Sequence, residues 1–300
     1  MLDISHLGGI IPPLVTPLHS DETLDEEGLR RLVQHVLRGG VHGVFVMGST
    51  GEFAAVADAE RRHAIEVVVD EVKGKAPVFA GVGDASTRRA LMRVEEAQQR
   101  GVDALVAILP YYHGVNNMEE AKRHFEEIAQ ASSLPVLIYN IPQRVGASLT
   151  VEAVSELREA PQIVGIKDSS EDFNRFQGFV RMESAAFRVF QGSEAQGAAS
   201  LLMGAHGCVP GMANLAPKLW VAMYEAAKEG HLERVRELHR AASELSRIYW
   251  LDGTSPIGSL KAALEMIGIC QAHPARPMTR PDTHARARIE AEVKRFRDYM

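Results

Sequence analysis

The feature that most restricts the fold is an alternation repeated eight times: a short apolar run, then an amphipathic stretch. The runs are about five residues long and the stretches about 11 to 16, the proportions of a strand followed by a crossover helix. The runs fall at 9–17, 43–47, 76–83, 103–110, 134–140, 162–168, 186–192 and 206–211. Helical stretches follow at 25–37, from 58 onward, and at 87–100, 118–131, 150–159, 172–182, 194–202 and 217–228. Eight strand–helix units is the number that closes a parallel barrel. An open doubly wound sheet would need a phosphate or dinucleotide signature at its switch point. The nearest match, "GVGDAS" (81–86), lacks the third glycine and reads instead as a helix N-cap at Asp84 or Ser86. The expected fold is therefore α/β, a (β/α)8 TIM barrel over residues 1–229. Three further helical stretches, at 231–250, 256–268 and 283–299, form a C-terminal extension over 230–300, packed on the barrel.

Composition removes several function classes. The net charge of −6 disfavours a phosphate backbone as partner. The late basic residues, from Arg276 to Arg297, are interleaved with Asp282, Glu290, Glu292 and Asp298. That mixture is a solvated helix face, not a nucleic-acid arm. Two cysteines, Cys208 and Cys270, give neither a disulfide framework nor a metal spacing, and they suit a reducing compartment. No apolar run approaches the ~20 residues of a membrane helix, and "MLDISHLGG" has no basic n-region of a signal peptide. The expectation is a cytoplasmic protein with neither nucleic-acid nor membrane partners.

In a (β/α)8 barrel the loops after the strands build the site, so the residues after each apolar run are the candidates. The second run delivers Ser49, Thr50, Gly51 and Glu52; the fourth, Pro110, Tyr111 and Tyr112. The fifth ends on Tyr139 and Asn140, with Arg144 beyond in a Pro/Gly-punctuated loop, and the sixth ends on Lys167. A lysine at an apolar barrel mouth is desolvated, its pKa falls, and the free amine attacks ketones. The alternative is a lysine that snorkels to solvent or pairs with Asp168. Tyr139 on the neighbouring strand would shuttle protons beside it. Arg144 would clamp a carboxylate, against the commoner surface salt bridge. Glu52 reads as structural, bonding within its own loop.

The ordered set "GSTGE", "PYY", "YNIP..R.G" and "GIKD" resembles the dihydrodipicolinate synthase / N-acetylneuraminate lyase family. "PPLVTP", "GAHGCVPGMANLAP" and "RPMT" extend the resemblance almost end to end. It implies a class I lyase in which Lys167 forms a Schiff base with pyruvate or a related 2-keto acid. It further implies that Tyr139 is the acid/base, with Ser49 (in place of a threonine) and Tyr112 of a neighbouring subunit completing a proton relay. Thr50 and the Gly51 turn, whose glycines let backbone approach, would bind the keto-acid carboxylate; Val209 would line the pocket. Neither metal nor cofactor is implied, and the twelve histidines show no HExxH spacing. A homotetramer, a dimer of dimers, is expected.

The co-substrate is an aldehyde or a sugar acid. Arg144 favours dihydrodipicolinate synthase, which condenses pyruvate with aspartate semialdehyde. His113 after the paired tyrosines, "GIKDSS", and "SPIGSLKAAL" (255–264) depart from the synthase pattern. They tilt the reading slightly toward aldol chemistry or dehydration of a 2-keto-3-deoxy acid. A deaminase branch and a non-catalytic keto-acid binder stand behind these.

Overall fold

The computed structural model describes residues 2–251 and 254–300. Its strands are β1 (Gly9–Ile10), β2 (Val44–Val46), β3 (Val78–Gly81), β4 (Ala104–Ile108), β5 (Val136–Asn140), β6 (Ile163–Asp168), β7 (Arg188–Gln191) and β8 (Gly207–Cys208). They form one eight-stranded sheet in the order β1-β8-β7-β6-β5-β4-β3-β2. The pairings from β3 to β8 are parallel. The two ends of that order also meet, because Pro13 bridges Phe45 in parallel and Leu14 donates its N–H to the Phe45 carbonyl (2.8 Å). This is the expected (β/α)8 topology.

Between the strands lie α1 (Glu26–Arg38), α2 (Asp58–Val72), α3 (Thr87–Gln99), α4 (Met118–Ala131), α5 (Pro142–Val145), α6 (Val151–Leu157), α7 (Phe173–Val180), α8 (Gly197–Leu202) and α9 (Pro217–Lys228). After them come α10 (Leu232–Leu245), α11 (Pro256–Met266) and α12 (Thr283–Arg295), the C-terminal extension. Short polar side chains start many of these helices by accepting the orphan N–H groups of the first turn. Asp25, Asn117, Thr150, Asp172, Ser255 and Asp282 all do so. In "GVGDAS" the cap is Ser86, while Asp84 is held by Arg89 and Arg93.

Two elements differ from expectation for a clear local reason. The 9–17 run yields only a two-residue strand, since Pro12 and Pro13 have no N–H for a ladder. Asn214 substitutes there: its Oδ1 accepts from Val15 N (3.0 Å) and its Nδ2 donates to the Pro13 carbonyl (2.8 Å). Residues 142–145, read as loop, form the single helical turn α5, opened by Pro142 and closed by Gly146 at φ 73°.

The chain divides into two compact units: Met1–Gly9 with Phe79–Val209, and Ile10–Val78 with Pro210–Met300. The first is built around β4 to β7, with Phe79, Phe125, Phe176, Phe179 and Phe190 among its fully buried side chains. The second holds the extension, with Trp220, Leu238 and Leu264 fully buried. Several late basic residues are tied into ion pairs on its surface, Arg276 to Glu22 (2.9 Å) and Arg286 to Glu265 (2.7 Å) among them. No helix among the described residues is long and apolar enough to cross a membrane.

Candidate active site

In the first unit, strand register makes the site. Tyr139 pairs with Lys167, Ile108 with Tyr139, and Lys167 with Phe190. Laterally paired residues of parallel strands face the same way, so these four form one row across β4 to β7. Lys167 and Tyr139 are each 5% exposed. The Lys167 Nζ lies 3.9 Å from the centre of the Tyr139 ring. Burial lowers the lysine's pKa, and Tyr139 only partly resists by favouring the ammonium. The lysine neither snorkels nor leans on its neighbour. β6 continues one residue past it, to Asp168, whose side chain belongs to the opposite face of the sheet.

That opposite face carries a second row, which fixes the first. Asn140 pairs in register with Asp168, and Asp168 with Gln191. Asp168 Oδ1 accepts from Asn140 Nδ2 (2.7 Å) and Oδ2 from Ser170 Oγ (2.9 Å). Asn140 Oδ1 accepts from Leu149 N (3.1 Å). Burial raises the Asp168 pKa, against those hydrogen bonds. A slip of one residue between β5 and β6 would break the Asn140–Asp168 bond and turn Tyr139 away from Lys167.

Around this pair, Ser169 Oγ donates to the Tyr139 hydroxyl at 3.4 Å. Gly192 is glycine for space: a Cβ there would stand 2.9 Å from Lys167 Cε and overlap Ser169 Oγ. Val209 is buried, its N–H bonded to the Gln191 carbonyl (2.8 Å). Tyr112 is 80% exposed, its ring edge-on to His113 at 5.0 Å. Arg144 is exposed on α5, and its guanidinium makes no ion pair among the described residues.

In the second unit, the chain leaves β2 through Met47 at φ 58° and enters a tight turn at 48–53. Glu52 N donates to the Ser49 carbonyl (3.1 Å). The Ser49 and Thr50 side chains are half-buried, and neither hydroxyl bonds to another described residue. Both glycines have an internal reason. A Cβ on Gly48 would meet the Phe45 ring at 2.7 Å, and one on Gly51 the Leu14 carbonyl at 2.9 Å. The Gly51 carbonyl accepts from Thr16 Oγ1 (2.6 Å).

Glu52 is structural, but its side chain does not bond within its own loop. It is fully buried, pairs with Lys261 Nζ at 2.5 Å, and accepts from Ala275 N at 2.5 Å.

The sequence model of the Dihydrodipicolinate synthetase family matches residues 6–296. The chain belongs to this family. A 4-hydroxy-tetrahydrodipicolinate synthase of Methanopyrus kandleri is 39% identical over 290 residues, 96% of each chain. The enzyme of the same name from Thermus thermophilus is 38% identical, covering 95% of each. The solved structure of YagE, a prophage protein of the dihydrodipicolinic acid synthase family from E. coli K12 in complex with pyruvate, superposes with a TM-score of 0.91. It is 29% identical and covers 97% of this chain and 99% of its own. This family member is accordingly a class I lyase that uses a lysine Schiff base and acts on pyruvate or a related 2-keto acid. Among the described residues no group of three or more His, Cys, Asp and Glu side chains could hold a metal ion.

Residues that sequence reasoning missed are Ser169, Thr16 and Lys261. Lys261 alone carried a signal: it is the one charge in the apolar stretch "PIGSLKAAL".

Proposed function

We propose that this protein is a 4-hydroxy-tetrahydrodipicolinate synthase, joining pyruvate to aspartate semialdehyde. The observation that carries the reading is the desolvated Lys167 amine over the Tyr139 ring, in a chain whose relatives at 38–39% identity bear that name. They favour the condensation over the 2-keto-3-deoxy acid chemistry toward which the sequence departures tilt.

The free Lys167 amine attacks C2 of pyruvate, forming a C–N bond. The ketone oxygen leaves as water, with Tyr139 supplying and recovering protons. The protonated imine withdraws electrons from C3, which loses a proton to become an enamine. C3 then attacks the aldehyde carbon, and the resulting alkoxide takes a proton. The co-substrate's own amine displaces Lys167 at C2, which closes the ring and frees the lysine. Thr50 and the Gly51 N–H take the pyruvate carboxylate, Ser49 relays protons, and Val209 bounds the keto acid. Arg144, exposed and without an ion pair among the described residues, takes the carboxylate of aspartate semialdehyde through two parallel hydrogen bonds.

Tyr112 reaches the relay from a second copy in a dimer of dimers; its 80% exposure leaves it available. A fully active monomer in sedimentation would remove that role. The two buried cysteines suit a cytoplasmic enzyme. The barrel is assigned to 1–229 and the added helical layer to 230–300.

One purified sample tests the reaction. Pyruvate with aspartate semialdehyde is expected to turn over faster than cleavage of 2-keto-3-deoxy sugar acids or N-acetylneuraminate. Arg144→Ala is expected to lower kcat/KM for the semialdehyde about 10- to 100-fold. A second reading, a 2-keto-3-deoxy acid lyase, draws on His113 and on the Ser169 hydroxyl 3.4 Å from Tyr139. It predicts the reverse order of substrates and indifference to Arg144→Ala.

A further inference from the structure

The C-terminal extension holds the last residue of the functional turn by an ion pair and a hydrogen bond, both on Glu52. Glu52 and Lys261 are both 0% exposed in their side chains. Glu52 Oε1 lies 2.5 Å from Lys261 Nζ; Lys261 also donates to the His273 carbonyl at 2.7 Å, and Glu52 Oε2 accepts from Ala275 N at 2.5 Å. One carboxylate is thereby tied both to α11 and to the segment after it. Such a pair is a poor device for stability alone, since well-packed apolar residues of similar volume often do as well or better. What it supplies is a fixed position.

That position matters because of where Glu52 sits in the chain. It closes the turn that carries Ser49, Thr50 and Gly51, and its backbone is left-handed at φ 58°. A glutamate takes that conformation only when its surroundings hold it there. Backbone hydrogen bonds within 48–56 and Thr16, on the Gly51 carbonyl, also anchor the turn. Without the ion pair, the hydrogen bond from Ala275 N is the one contact of the Glu52 side chain among the described residues that still opposes relaxation of the left-handed residue. The backbone N–H groups and the Thr50 hydroxyl would shift with it.

We propose that Glu52 and Lys261 are positioning residues, through which the C-terminal helices hold the 49–51 turn in its carboxylate-binding shape. The inference rests on the lyase reading given above. It makes the extension part of the substrate site and not only an added layer.

The test uses Glu52→Gln, Lys261→Met and the double variant, which removes both charges and so avoids a stranded buried ion. Leu238→Ala, in the fully buried core of α10, serves as a destabilised control outside the turn. Three quantities are measured: the melting temperature, the pyruvate concentration for half-maximal inactivation by borohydride, and amide hydrogen exchange across 48–53. The double variant is expected to need about tenfold more pyruvate and to exchange faster at 49–53, even where its melting temperature recovers. Leu238→Ala is expected to melt lower with an unchanged pyruvate requirement. A double variant with wild-type pyruvate saturation and wild-type exchange overturns the proposal, as does a control whose pyruvate requirement rises equally. A wild-type protein that borohydride and pyruvate fail to inactivate sinks the lyase reading instead; exchange at 49–53 still decides whether the pair holds the turn.

Discussion

Two lysines are buried among the described residues, and their surroundings could hardly differ more. Lys261, on α11, faces a carboxylate at 2.5 Å and a backbone carbonyl at 2.7 Å. Lys167, on β6, faces the ring of a tyrosine at 3.9 Å. Burial lowers both pKa values, and what opposes burial sets the outcome. The Glu52 carboxylate in contact with Lys261 opposes burial directly and favours its ammonium, which suits a fixed strut. A phenol gives Lys167 far weaker opposition, so the neutral amine, the nucleophile, is within reach. The same residue type is a structural ion in one place and a reagent in the other.

Replacing each by methionine should separate them most widely. Lys167→Met is expected to lose all borohydride-trapped pyruvate adduct and to lower turnover by about 10⁴-fold or more. It should melt no lower than wild type, because a poorly opposed ammonium has left the interior. Lys261→Met should keep the adduct at Lys167, yet cost about 3–5 kcal/mol of stability by stranding Glu52. Mass spectrometry of the trapped protein, beside a melting curve, reads both. An adduct surviving in Lys167→Met would place the nucleophile elsewhere.

Tyr139→Phe probes the partner. The ring remains under Lys167 and only the hydroxyl goes, so binding of pyruvate should persist while turnover falls about 100- to 10,000-fold. A steady-state assay against trapping efficiency separates the two effects. An equal loss in both would mean that Tyr139 positions the lysine and moves no proton.

How much of this was legible in the sequence varied with the range of the interaction. The eight alternations and the caps are local patterns, and the structure places most of the helix starts within a residue of expectation, while the first and last strands are shorter than their runs. α4 (Met118–Ala131) and α9 (Pro217–Lys228) match their expected bounds at both ends. Lys167 and Tyr139 were readable because they end neighbouring strands of a parallel sheet, where topology fixes proximity. α5 was not readable, since a single turn is too short to show a 3.6-residue period. Glu52 was read as bonding within its own loop because its true partners, Lys261 and Ala275, lie more than 200 residues along the chain. No local pattern reports a contact of that range. The lone charge in "PIGSLKAAL" was the available hint, and it pointed to burial without naming the partner.

The finest separation of the two lysines is by pH. An ordinary lysine is half-deprotonated at 10.5, whereas burial sets Lys167 below that value. Only the free amine attacks pyruvate, so the rate of trapping should rise with pH while the ammonium dominates. It should then level off before 10.5 is reached. Tyr139 favours the ammonium both by charge and by hydrogen bonding. Removing its hydroxyl should therefore lower the pKa further and move the plateau to still lower pH. Glu52→Gln, which acts on the other lysine, should leave the position of the plateau unchanged, whatever it does to the pyruvate requirement. The measurement is the pseudo-first-order rate of borohydride inactivation at saturating pyruvate across the alkaline range. A wild-type plateau no earlier than that of an exposed lysine would mean that the Tyr139 ring and its surroundings hold the ammonium as firmly as Glu52 holds Lys261.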